Sequence, residues 1–242
     1  MTASRRKSSR ASLDELEQAK LDAMKELAYG ASHEINNPLA NISARAQALL
    51  RDETDPERRR ALEAIHQQAL RAHEMIADLM LFARPPRLER RAVDVPGVVN
   101  RIVAELAPEC RRRDIDIQAS AGEDLPAVSA DEVQLAVAIK ALCSNSVEAL
   151  GRGGWIKVRV EADSTGRKFQ IEVNDNGPGI SAEVRPHIFD PFFSGREAGR
   201  GLGFGLSKCW RIVTEHGGRV TVSSGAKGGA TFRIELPLDD QA

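Results

Sequence analysis

Apolar residues in the first part of the chain advance in steps of three and four. Leu13, Leu16, Met24, Leu27, Ala31, Ile35, Leu39, Ile42, Ala46 and Leu49 follow this spacing, and Lys20 takes the one polar place. Such a stripe predicts a long helix packed against other helices. Pro38 interrupts it. A proline inside a helix removes a main-chain hydrogen bond and crowds the carbonyl four residues back, here that of Glu34, at a cost of roughly 3 kcal/mol. A second stripe follows. Asp55-Pro56-Glu57 supplies an N-cap, a proline at the first helical position and an early acid. Leu62, Ile65, Ala69, Ala72, Ile76, Leu79 and Ala83 then repeat the helical period until Arg84-Pro85-Pro86 stops it. Two long helices joined by a short turn make an antiparallel hairpin, which alone cannot bury a seam on both helices. The expectation is a homodimer whose two hairpins, residues 12–86, form a four-helix bundle behind a disordered lead-in at 1–11.

Beyond Pro86 the period changes. The pattern predicts a short strand around Ala92–Val95, a helix over 96–113, a strand over Asp114–Ala119 and a helix over 130–150. WIKVRVEA (155–162) and KFQIEVND (168–175) alternate apolar and polar residues around a polar turn, the mark of a hairpin of half-buried strands. Asn176 to Phe204 is glycine-rich and irregular. A helix from about Gly205 to His216 ends at Gly217-Gly218, and RVTVSS and ATFRIEL close the chain as strands. Residues 87–242 therefore read as an α/β layered domain, and the whole chain as α plus α/β.

Composition narrows the possibilities. The 242 residues are 42% hydrophobic and 29% charged, which suits two modest domains with real cores. A net charge of −1 gives no reason to expect nucleic acid or a membrane surface as partner. No uninterrupted apolar run is long enough for a membrane segment, and the basic, serine-rich start lacks the apolar stretch of a signal peptide. Cys110, Cys143 and Cys209 are odd in number and widely spaced, which fits buried, reduced thiols in a cytoplasm.

Several residues carry candidate chemistry. His33 is about 200° from both Ala31 and Ile35 at 100° per residue, so it points away from the packing stripe. Glu34 is adjacent to it, and Asn37 is one turn on along the same exposed face. An exposed histidine beside a carboxylate, on a helix loosened by Pro38, suits a nucleophile or a general base. HEINN is not a zinc-protease HExxH, because Asn37 replaces the second histidine. Asp175 ends a strand and could accept a hydrogen bond from an adenine amino group, while Gly177 and Gly179 allow a close backbone approach. Gly199, Gly201, Gly203 and Gly205 open onto a helix N-terminus, where backbone amides can hold phosphates. The stretch is neither a Walker loop nor a dinucleotide-binding fingerprint. His66, His73, His187 and His216 gather no obvious set of ligands.

Four ordered stretches carry a resemblance. SHEINNPL (32–39) resembles the phospho-acceptor motif of bacterial sensor histidine kinases, and the hairpin resembles their dimerisation and histidine-phosphotransfer domain. SNSVEA (144–149) resembles the family's asparagine box, DNGPGI (175–180) its first glycine box, IFDPFFSG (188–195) its phenylalanine motif and GLGFGLS (201–207) its second glycine box. The resemblance spans residues 12 to 238. It implies a Bergerat-type ATP-binding sandwich for residues 87–242, with ATP and Mg²⁺ as cofactors. It implies His33 as acceptor, Glu34 as base and Asn37 as the group that orients water for dephosphorylating a response regulator, the expected partner. Around the nucleotide it implies Asn145, Asp175, Gly177, Gly179, Phe193, Gly201, Leu202, Gly203, Gly205 and Leu206, with Asn145 on the metal. Arg196 and Arg200 are candidate phosphate contacts. No sensor module is identifiable. Either the chain is a fragment, or its signal arrives through another protein or through the helix before His33.

Two positions depart from the pattern: Ala141 stands where an asparagine is usual, and Arg196 where lysine is frequent. Two alternatives compete: a degenerate nucleotide-binding scaffold, which Ala141 keeps open but the intact His33, Glu34, Asn145, Asp175 and glycine boxes weigh against, and an ATPase of the gyrase and chaperone kind. The second is disfavoured because the glutamate base of such ATPases would occupy position 141.

Overall fold

The computed structural model describes residues 34–83, 86–123, 125–163, 168–191, 193, 203–225 and 228–238. The chain divides between Pro86 and Arg87 into two compact units.

The first unit is helical. Helix α1 runs over the described residues 34–52, and α2 covers Pro56–Ala83 after a turn at 53–55. Asp55 caps α2, its Oδ1 accepting from the N–H groups of Glu57 and Arg58 at 2.9 and 3.0 Å. Ala46 and Ala69 are the fully buried apolar residues described in this unit. Leu39, Ser43 and Leu50 are half-buried on the same side of α1 as Ala46. Ile35, Ile42 and Leu49 instead face outward, with 45%, 45% and 61% of their surface exposed. The apolar stripe thus splits into two rows. One meets α2, and the other, at seven-residue spacing, has no cover among the described residues.

The second unit packs a helical layer on a sheet. Its elements are β1 (Arg91–Val93), α3 (Val95–Arg112), β2 (Asp116–Ala121), β3 (Val128–Ala130), α4 (Glu132–Leu150), β4 (Trp155–Ala162), β5 (Lys168–Asp175), a single 3₁₀ turn Arg185–His187, α5 (Phe204–Glu215), β6 (Arg219–Gly225) and β7 (Gly228–Pro237). The main sheet has the order β2-β4-β5-β7-β6, with β2 parallel to β4 and every other pair antiparallel; β1 and β3 form a separate antiparallel pair. Register aligns apolar rows across the sheet. Val158, Val173 and Phe232 stand side by side, as do Val160, Ile171 and Ile234. All six are fully buried beneath the helices. The opposite face carries charged pairs, including Lys168–Glu235 at 3.0 Å and Arg233–Glu172.

Most of the expected elements are present, with two differences. The strand expected from Asp114 begins at Asp116, because Asp114 sits in a turn with φ +56°. The strand β3 was not foreseen in LPAVSA. Helix α4, 19 residues with a mean hydropathy of 1.2, is long and apolar enough to cross a membrane by length and composition. In the fold it is a core helix, with Leu135, Ala138, Ile139 and Leu142 buried.

Among the described residues six polar side chains are buried, and two of them, His216 and Asp131, tie helices together. His216, 2% exposed, accepts the Asp131 N–H on Nε2 at 3.0 Å and donates from Nδ1 to the Ile212 carbonyl at 2.8 Å. Its role is structural, joining the end of α5 to the start of α4. Burial alone would raise the Asp131 carboxyl, but the N–H groups of Glu89, Gln134 and Val133 and the Gln134 amide hold it below the usual carboxylate range. Cys110, Cys143 and Cys209 are free, buried thiols in α3, α4 and α5. Burial, and secondarily the Cys110 thiol nearby, pushes Cys143 up to about 12.

That shift sets an alkaline limit on stability. Between pH 9 and about 12 the unfolded thiol ionises while the buried one stays protonated, so the fold loses about 1.4 kcal/mol per pH unit for this group. Urea unfolding at about pH 8 and about pH 10 is expected to show a smaller loss in Cys143→Ala than in the parent. Equal losses in the two proteins would remove Cys143 as the cause.

Candidate functional site: a buried carboxylate at the end of the sheet

The candidate site begins with register. Asp175 is the last residue of β5 and pairs with Ile156 on one side and Ala230 on the other. Alternation puts its side chain on the helix-covered face, where it is 2% exposed. A buried carboxylate needs donors, and three surround it. Ser146 Oγ of α4 donates to Oδ2 at 2.8 Å. The N–H groups of Gly177 and Ala230 donate to Oδ1 at 2.9 and 3.3 Å. An ionised carboxylate offers roughly four acceptor positions, so capacity remains for one incoming donor such as an amino group on a ring edge.

The turn after Asp175 is shaped by absent side chains. A Cβ on Gly177 would lie 2.9 Å from the Asp175 Oδ1. Gly179 has φ +78°, and a Cβ there would lie 3.0 Å from the Gly229 carbonyl oxygen. The turn is pinned from behind: Gly229 N–H donates to the Gly177 carbonyl at 2.7 Å and Ile180 N–H to Ser224 Oγ at 2.9 Å. Glycine at both positions therefore lets the turn fold tightly back on Asp175 and on the start of β7.

Asn145 lies beside Ser146 on α4 and is half-buried; its amide makes no hydrogen bond among the described residues. Ala141, one turn earlier, is buried, and Glu148, one turn later, is exposed. Phe193 rests near His187, ring centres 6.0 Å apart, while His187 Nδ1 meets Asp190 Oδ2 at 2.9 Å. Gly203 precedes α5 with φ +71° and offers no side-chain cap, so the first turn of α5 presents its N–H groups to an anion. Gly205 and Leu206 lie in that turn, half-buried, and a Cβ at Gly205 would meet nothing within 4 Å. These features fit a nucleotide: a buried acceptor for the base, glycines beside it, an available amide for a cation and helix amides for phosphate.

On the first unit, Glu34 and Asn37 are exposed on α1. His33, Arg196, Arg200, Gly201 and Leu202 lie outside the described residues. Sequence reasoning did not single out Ser146, although a signal was present. Leu135, Ile139, Leu142 and Ser146 form one buried stripe, in which the serine is the lone polar member. A hydroxyl on such a stripe calls for a buried acceptor.

Comparison with known proteins agrees with this geometry. Residues 23–87 match the family described as His Kinase A (phospho-acceptor) domain, and residues 130–240 match the Histidine kinase-, DNA gyrase B-, and HSP90-like ATPase family. A solved catalytic domain of the histidine kinase ThkA is 30% identical, with a TM-score of 0.55, and the match covers 62% of this chain and 97% of that one. The chain belongs to the histidine kinases. Full-length ShkA, solved in complex with AMPPNP, gives a TM-score of 0.77 at 26% identity over 88% of this chain and 45% of that one. The sensor histidine kinase ZraS of Escherichia coli (strain K12) is 32% identical over 221 residues, 91% of this chain and 47% of the relative. The sensor protein FixL of Bradyrhizobium diazoefficiens is 31% identical, covering 92% and 45% respectively. The chain thus spans about half the length of the curated relatives it matches.

Asp175→Asn is expected to weaken nucleotide binding by about 1.5–3 kcal/mol, the range for a hydrogen bond to a charged group. Ser146→Ala should cost about 1.5–3 kcal/mol as well, because it removes one donor from the same carboxylate. Calorimetric titration with ATP tests both, and unchanged affinity in Asp175→Asn would take the carboxylate out of the site.

Proposed function

We propose that this chain is the catalytic core of an ATP-dependent protein-histidine kinase of a two-component system. In this reading His33 takes the γ-phosphoryl group and passes it to an aspartate of a response regulator. The observation that carries the reading is one chain's pairing of a nucleotide-shaped site around Asp175 with an acceptor turn whose Glu34 and Asn37 are both exposed. Glu34 accepts the proton from one nitrogen of His33, and the other nitrogen attacks the γ-phosphorus. A nitrogen–phosphorus bond forms as the bond to the ADP oxygen breaks. The N–H groups at the start of α5 meet charge on the phosphates. Asn145 would hold Mg²⁺, which when bound spreads the charge of the phosphoryl group in transfer.

The outward row of Ile35, Ile42 and Leu49, together with Ile65 and Leu70 of α2, supports a second copy of the hairpin as partner. An apolar row at heptad spacing pairs readily with its own copy in a bundle. Ala141 supplies no carboxylate where an ATPase would keep its base, which weighs against simple ATP hydrolysis. Asn37 cannot act as a base, but its amide can orient a water for attack on an acyl phosphate held against α1.

Incubation with Mg²⁺ and γ-labelled ATP is the direct test. The wild type should take up acid-labile phosphate, and His33→Gln should take up none while still dimerising. Residual label on His33→Gln would move the acceptor elsewhere. Asn37→Ala should keep labelling at His33 but lose dephosphorylation of the phosphorylated regulator; equal dephosphorylation rates would end that assignment.

A further inference from the structure

The hairpin seam carries a polar ladder that the apolar stripes do not foretell. His73 Nδ1 of α2 meets Asn36 Oδ1 of α1 at 2.9 Å. His66 Nδ1 meets Ser43 Oγ at 2.9 Å, and its Nε2 lies 3.2 Å from the Gln47 amide nitrogen. Nearer the turn, an Arg59 guanidinium N–H donates to the Leu50 carbonyl at 3.3 Å. Each step of seven along α1, from Asn36 to Ser43 to Leu50, is matched by a step of seven back along α2, from His73 to His66 to Arg59. The ladder therefore reads out one antiparallel register.

The top rung falls within the turn that Pro38 weakens. Pro38 has no N–H to give the Glu34 carbonyl, so residues 34–38 lack a main-chain bond that the rest of α1 has. Asn36 lies between those two residues, and its bond to His73 reaches across to an uninterrupted helix. We propose that His73 is a positioning residue: through Asn36 it clamps the proline-weakened turn and so sets the attitude of Glu34 and Asn37. The clamp limits bending of that turn in both directions of phosphoryl transfer. A reacting group held slightly off line loses rate far more than affinity, so the effect appears in the maximal rate rather than in the apparent affinity for ATP.

The inference rests on the kinase reading above for its kinetic consequence, but not for its structural one. Wild type, His73→Ala, Asn36→Ala, the double variant and His73→Asn are compared in two assays. One is autophosphorylation against ATP concentration, and the other is amide hydrogen exchange over residues 34–39. His73→Ala and Asn36→Ala are each expected to lower the maximal rate about fivefold with KM for ATP unchanged, and to speed exchange in the turn. The double variant should be no worse than the poorer single one, because both remove the same bond. His73→Asn should restore most of the rate, since its amide nitrogen stands where Nδ1 stood. His66→Ala breaks the same kind of rung two turns from Asn36 and should leave the rate within about twofold of wild type. Wild-type rates and exchange in both single variants would overturn the clamp. Additive losses, or no recovery with His73→Asn, would overturn it as well. A wild type that takes up no label at His33 rejects the kinase reading instead, and exchange in the turn still decides the clamp.

Discussion

A carboxylate buried to 2% exposure sets the terms for one end of the second unit. An ionised side chain there is tolerable only if donors replace the water it lost. The donors come from three places in the chain: Ser146 in the middle of a helix, Gly177 in the turn that follows, and Ala230 on the neighbouring strand. Satisfying Asp175 therefore fixes how α4 lies on the sheet, how tightly the glycine turn folds back and where β7 must begin. Any shift of one donor exposes the charge to the others' absence. The same arrangement leaves the carboxylate's position set before a ligand arrives, so little ordering remains to oppose binding.

The first unit meets the folding problem differently. Its fully buried apolar residues, among those described, are Ala46 and Ala69, which contribute little area. Larger side chains such as Ile35, Ile42 and Leu49 sit outside. What specifies the hairpin from within is a polar ladder, and what its exposed row calls for is a second copy. A slipped pairing would forfeit these bonds, so the ladder favours one register.

Legibility in the sequence followed the strength of the period. Strands β4 and β5 lie over the residues that alternation assigned, because both have one buried face and a polar turn between them. The three-residue β3 has no room for a period, and the turn at Asp114 depends on a left-handed φ that alternation does not encode. Over residues 34–52 the stripe on α1 marked a helix, its earlier part lying outside the described residues, but it merged two rows: Leu39 and Ala46 turn toward α2, while Ile35, Ile42 and Leu49 turn away. Spacing along one helix cannot say which neighbour each row will meet. His66 and His73 looked unremarkable for the same reason, since their partners lie on the other helix. In the candidate site the strand end, the glycines and Asn145 were legible as types. Ser146 was not singled out, because a serine inside an apolar stripe gains meaning only once the acceptor opposite it is known.

The two units differ in stiffness for a physical reason. Rows of Val, Ile and Phe locked between strands and helices leave the nucleotide end with few alternatives. The acceptor turn has a missing main-chain bond at Pro38, a half-exposed surface and one side-chain rung across to α2. A side-chain hydrogen bond at such a surface contributes about 0.5–1.5 kcal/mol, less than the roughly 3 kcal/mol that an interior proline removes. The rung therefore biases the turn without freezing it. Under the proposed kinase reading, that balance suits a residue that meets a nucleotide and then a protein partner: the turn needs a preferred geometry for each encounter and a low enough barrier to leave it.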